Sequence, residues 1–175
     1  MRRVPATAAA LVGLALVPSL GRGQGATGQV TLDAQVIGQA ITVTALRDLN
    51  FGTVLKGVPT SVLPSNAAAG AWQVQGDKNA QVTITFTLPT VLTNIQALPG
   101  STMPISFGAA SALWNRGTNS VVGATPFDPS AVTTGKLGPP ANPFIYLWIG
   151  GTVSPAVTAK PGIYTGTIVV SVAYL

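Results

Sequence analysis

The chain has no cysteine and no histidine, and glutamate is missing as well. Without cysteine there is no disulfide, no thiolate metal site and no cysteine-linked lipid anchor. Without histidine and glutamate, the usual general base, the usual metal imidazole and half the carboxylate repertoire are gone. Four aspartates remain: Asp33, Asp48, Asp77 and Asp128. They are far apart, each beside a turn or strand end, where a short carboxylate usually bonds nearby backbone. No run of closely spaced oxygen ligands suits calcium. The expectation is a protein that is not an enzyme, with no catalytic, cofactor-binding or metal-ligating residues and no cofactor.

Charge is scarce too, at 7% of residues. Beyond the first 25 residues the cations Arg47, Lys56, Lys78, Arg116, Lys136 and Lys160 stand singly. A nucleic-acid partner needs a clustered basic patch, so none is expected. No helical period persists over ten residues outside the amino-terminal stretch, which leaves strands and turns to build the fold.

What is present begins with an address. Met1-Arg2-Arg3 precedes an almost uncharged run from Val4 to Leu20, and small residues follow from Gly21 to Ala26. A basic head, an apolar middle broken by Pro18 and a small-residue exit fit a secretory signal peptide over residues 1–25, cleaved between 21 and 26. Membrane contact is expected only through this leader during export. If Arg2, Arg3 and Arg22 leave, six basic residues face four acidic ones and the formal charge falls from +5 to +2. The remaining chain suits one domain with its own core.

Period-two alternation then marks the strands. Val30, Leu32, Ala34 and Val36 share one face, but the phase shifts at Gly38 and the next apolar set is Ile41, Val43 and Ala45. Either a bulge re-aims one strand there or two strands meet. Trp72 and Val74 share a face before the turn signal Gly76-Asp77-Lys78-Asn79, and Val82, Ile84, Phe86 and Leu88 alternate with threonine beyond it. These two runs are expected to form an antiparallel hairpin. Phe144 to Ile149 is apolar on both faces, so a second cover is expected there, and Ile145, Leu147 and Ile149 are candidates for an exposed apolar interface. The cleanest strand is the last, with Tyr164, Ile168, Val170, Val172 and Tyr174 at even positions after Pro161-Gly162. The fold class is all-β, an Ig-like β-sandwich of seven to nine mostly antiparallel strands with no helix outside the leader. Its divisions are a leader at 1–25, an N-terminal strand or extension at 26–40, and a sandwich domain at 41–175.

Four stretches carry a resemblance: Leu49-Asn50-Phe51-Gly52, the Trp72-x-Val74-x-Gly76 run with Val82 to Leu88, Ile149-Gly150-Gly151-Thr152, and the ending from Gly162 to Tyr174. With these the chain resembles exported bacterial proteins of the spore coat U type and archaic chaperone–usher pilin subunits, and an uncharacterised Ig-like family related to them in pattern. It departs from the pilins in lacking their common cysteine pair and in extending to Leu175 beyond the last tyrosine. The resemblance implies an incomplete sandwich whose missing strand leaves an apolar groove. A periplasmic chaperone strand would fill that groove first, and the N-terminal extension of another subunit delivered to an outer-membrane usher would follow. On that reading Val30, Leu32, Ala34 and Val36 form the donor strand, and Ile168, Val170 and Val172 form part of the groove wall. The alternative is that residues 28–36 fold back as the first strand of their own sandwich.

Two functions follow. The first is an exported structural subunit of a pilus, fibre or surface coat, self-assembling at the bacterial cell surface or in the periplasm. The second is a self-complete secreted Ig-like binding module, an adhesin for glycans, with Trp72, Trp114 or Trp148 as the stacking candidates.

Overall fold

The computed structural model describes residues 38–96 and 101–175, and every described element is a strand or a turn. One sheet has the order β1 (Thr42–Arg47), β3 (Gly70–Gln75), β10 (Phe144–Ile149), β7 (Ala112–Arg116) and β8 (Thr125–Phe127). A second runs β12 (Tyr164–Thr165), β5 (Val91–Asn94), β6 (Thr102–Ser106), β11 (Gly151–Val153) and β2 (Thr60–Val62). The third runs β13 (Val169–Tyr174), β4 (Gln81–Thr87) and β9 (Thr133–Lys136). All pairings are antiparallel. The fold is an all-β sandwich.

Among the described residues there are thirteen strands, against the seven to nine expected, because long strands are broken into short ones. β4 and β5 are separated at Pro89, which has no N–H to give a ladder. Their partners β13 and β12 are separated at Gly166, where a Cβ would press on Leu92 and Pro89. β10 passes into β11, and so from one sheet to another, at Gly150. Its Cα is pressed so closely on the Val62–Pro64 backbone that a Cβ would overlap it.

The core forms where β4 faces β3 and β10. Val82, Ile84 and Phe86 alternate inward from β4 and meet Val74, Ile145 and Leu147. Trp72 lies edge-on to Phe86, with ring centroids 5.8 Å apart. A smaller cluster of Met103, Ile105 and Val153 is flanked by Phe51, Val54, Leu92 and Tyr164.

Two expectations are corrected. Ile145, Leu147 and Ile149 are not an exposed interface, since all three are fully buried. β10 lies between β3 and β7 and turns its odd residues onto the core. Its other face carries Phe144, Tyr146 and Trp148 in a row with centroid spacings of 6.1 and 6.3 Å. Nor do β3 and β4 form a hairpin. The Gly76–Ala80 connection carries the chain from one sheet to another, and Val74 and Val82 meet across the core instead of side by side. Alternation fixes which residues share a face and says nothing about which strand is the neighbour.

The leader at 1–25 and the donor row Val30, Leu32, Ala34 and Val36 lie outside the described residues. Of the 26–40 extension, only Gly38 to Ala40 is described.

Candidate functional site

Among the described residues, β1 pairs with β3 alone and β13 with β4 alone. Among the described residues, each strand therefore has a ladder partner along one of its two edges only. The side chains beside these edges lose their cover in step. Ile145, Val74 and Val43 are paired in register across the first sheet. The first two are fully buried, whereas Val43 is 37% exposed. The neighbouring row Leu147, Trp72 and Ala45 runs from buried through half-buried to exposed. In the third sheet Val82, Ile84 and Phe86 are buried, and their partners Tyr174, Val172 and Val170 on β13 are half-buried. Core-facing residues are thus progressively uncovered toward both edges.

The two edges belong to the same side of the sandwich. At one end Tyr174, the last residue of β13, reaches Gln39 just before β1. At the other, Ile168 and Ala45 line one cleft of about 920 Å³. Its apolar lining includes Trp72, Leu92, Met103, Ile105 and Ile168, and Arg47, Lys56 and Lys160 are also at its surface. Leu49 to Val54 makes part of its wall. There the Asn50 Oδ1 accepts the Gly52 N–H at 2.8 Å, and Gly52 adopts φ +64°, where glycine alone is unstrained. This turn folds Phe51 back toward the smaller core cluster.

Of the candidate groove residues, Ile168, Val170 and Val172 are all half-buried and pack against the main core, and Ile168 alone lines the cleft. Sequence reasoning did not single out Val43 and Ala45, which stand on β1 in register with the core-facing Val74 and Trp72. It also missed a hydrogen-bonded ring of Gln39, Asp77 and Tyr174, which joins the lead-in to β1 to the end of β13. The available signal was Tyr174 itself, because a tyrosine in an apolar row usually finds a partner for its hydroxyl. Asp77 bonds across 38 residues, against the expectation of local contacts. Asp128 follows that expectation: its Oδ1 accepts both the Ser130 hydroxyl and the Ser130 N–H. Those bonds, the hydroxyl first, hold its pKa below the ordinary value. Among the described residues no three metal-ligating side chains cluster.

The arrangement suits one kind of chemistry, the addition of an extended peptide. Edges with no second partner among the described residues offer a ladder, and a half-covered apolar floor offers places for alternate side chains. No curated protein matches the chain. Residues 41–174, which span the described sandwich almost end to end, match a family described as a domain of unknown function, DUF4402, and the chain belongs to that family.

Proposed function

We propose that the protein is an exported, non-enzymatic structural subunit of a bacterial pilus, fibre or surface coat, assembled by donor-strand addition to the open cleft. The observation that carries this reading is the pair of single-partner edges, β1 and β13, with core-facing residues uncovered between them. The row Val30, Leu32, Ala34 and Val36 has the period such a cleft requires. Four apolar side chains at roughly 1.5 kcal/mol each would hold it firmly. A periplasmic chaperone strand occupies the cleft before assembly, and an outer-membrane usher is the place of exchange. The resemblance to coat and pilin subunits supports this reading, and the leader supplies the route.

The test is deletion of residues 26–37. The truncated chain should stay monomeric, and a synthetic peptide of residues 26–37 should bind it and raise its unfolding temperature. Unchanged polymerisation after the deletion would sink the proposal.

A second reading, the glycan-stacking adhesin, draws on Phe144 and Tyr146, the two part-exposed rings of the outer row of β10, whose third member, Trp148, is buried. Gln73 lies beside them, with its amide 3.4 Å from the Tyr146 hydroxyl. Tyr146→Ala would abolish retention on polysaccharide if that reading holds, and leave polymerisation unchanged.

A further inference from the structure

Apolar side chains are uncovered at a second place, one end of the second sheet. Its five strands run antiparallel to their neighbours, so β5 and β11 finish, and β12, β6 and β2 start, at that same end. Three described segments cap it: residues 54–59 before β2, 94–96 after β5 and 154–163 between β11 and β12. They carry five large apolar side chains open to water, Leu55, Val58, Ile95, Val157 and Ile163, from 49% exposed at Val58 to 77% at Val157. Among the described residues, the opposite ends of the same strands hold two, Leu63 and Val91. Ile163 borders the cleft, and the other four lie outside it.

The capping turns are tied to one another. The Gly57 N–H donates to the Pro155 C=O and the Ile95 N–H to the Ile163 C=O, both at 3.0 Å. Within the turns the Val58 N–H donates to the Leu55 C=O, and the Ala159 N–H to the Ala156 C=O. Gly57, at φ +73°, lies so close to Val157 that a Cβ would stand 2.7 Å from its Cγ1. Val157 therefore rests on the neighbouring turn. Backbone N–H groups that are already bonded can leave bulk water without losing a partner.

Charge in these segments has one sign. They contain Lys56 and Lys160, both exposed, and no acidic residue. In sequence, Lys56 stands between Leu55 and Val58, and Lys160 between Val157 and Ile163. At a strand spacing of about 4.8 Å, five strands spread the turns over about 19 Å. The apolar side chains are thus separate projections rather than the lining of a groove. Such projections, with cations among them, suit a soft planar surface: the apolar groups enter the acyl boundary, and the ammonium groups meet lipid phosphates.

We infer that this end of the second sheet docks on an anionic lipid membrane, with Leu55, Val157 and Ile163 inserting and Lys56 and Lys160 contacting headgroups. The inference takes membrane contact beyond the leader and does not depend on strand addition at β13.

The chain has no cysteine, so one introduced thiol carries one label. Val157→Cys, and Val122→Cys in the β7–β8 turn as a control of comparable exposure, are labelled in the full chain with a fluorophore that brightens on leaving water. Vesicles of phosphatidylcholine with phosphatidylglycerol should raise the signal at position 157 severalfold and leave position 122 unchanged. Phosphatidylcholine alone should give little at either position. Adding Lys56→Ser and Lys160→Ser to the Val157→Cys chain should weaken partition onto the anionic vesicles about twentyfold, from about fivefold for each lysine near the surface. Equal brightening at both positions would mean that the leader or the surface at large holds the chain, and the inference is overturned. It is overturned as well if position 157 stays dark on anionic vesicles or responds equally to neutral ones. Brightening without vesicles as protein concentration rises would assign these turns to a second copy, and would overturn it too.

Discussion

On the flank where β4 meets β10, Val82, Ile84, Ile145 and Leu147 are fully buried. On the flank bounded by β1 and β13, Val43 is 37% exposed, and Val170 and Val172 are half-covered. Both flanks carry the same kinds of side chain in the same period of two. The difference is the number of neighbours: β4 and β10 each have two partners, and among the described residues β1 and β13 each have one. Hydrophobic alternation therefore marks the face a residue takes, whereas burial waits on the strand beside it. The valines of the open flank have no second strand beside them among the described residues.

Substitution should separate the flanks. Leu147→Ala on the closed flank leaves a cavity among residues with no room to collapse, and should cost about 3 kcal/mol in urea unfolding of the subunit. A loss below about 1 kcal/mol would mean the closed flank is as loosely packed as the open one, and the contrast would fail. Val172→Lys on the open flank should do the reverse. The isolated subunit can turn the ammonium to water and should keep its stability within about 1 kcal/mol. Capture of a donor strand would bury that charge without a partner, a penalty of several kcal/mol, so binding of the 26–37 peptide should fall at least about a hundredfold. Calorimetric titration measures it, and an unchanged affinity would remove β13 from the site.

Val43→Thr is a gentler version on the opposite wall. It preserves shape and β-branching, and should shift subunit stability by less than about 0.5 kcal/mol. Peptide binding should weaken about fivefold as one buried apolar contact becomes polar. If stability falls and binding holds, Val43 belongs to the closed core after all.

The legibility of the chain follows the same contrast. β4 could be read directly, since Val82, Ile84 and Phe86 alternate with threonines that favour strands without adding apolar surface. β10 was recognisable as a doubly covered strand, but two apolar faces gave no means of saying that Ile145 looks inward and Tyr146 outward. The β3–β4 hairpin was misjudged because a turn signal such as Gly76-Asp77-Lys78-Asn79 serves a sheet-to-sheet crossing as well as a hairpin. β7, β8 and β9 went largely unseen. They are short and hold Asn115, Pro126 and Gly135, and they count as strands because neighbours pair with them. The alternation of β13 was legible from its valines. The hydrogen-bonded ring was not, because Gln39, Asp77 and Tyr174 meet from separations of 38, 97 and 135 residues, and only the folded backbone brings them together.

The smallest expected effect concerns the loop after β8, on the edge of the first sheet opposite β1. Asp128 is partly exposed, and its pKa is lowered from 3.8, first by the Ser130 hydroxyl and then by the Ser130 N–H. A carboxylate whose folded pKa lies below its unfolded value stabilises the folded state above the unfolded pKa. That contribution is lost as pH falls through the folded one. Acid below about pH 4 should therefore loosen this turn. Hydrogen exchange at the Ser130 amide, followed from about pH 6 to about pH 3 and corrected for intrinsic exchange, should show protection falling in the wild type. In Asp128→Asn, whose amide oxygen still accepts but does not titrate, protection should stay flat. A parallel fall in both proteins would mean that acid acts on the whole sheet edge, and that the two outer edges of the first sheet, β1 and β8, differ in partners but not in how they are held.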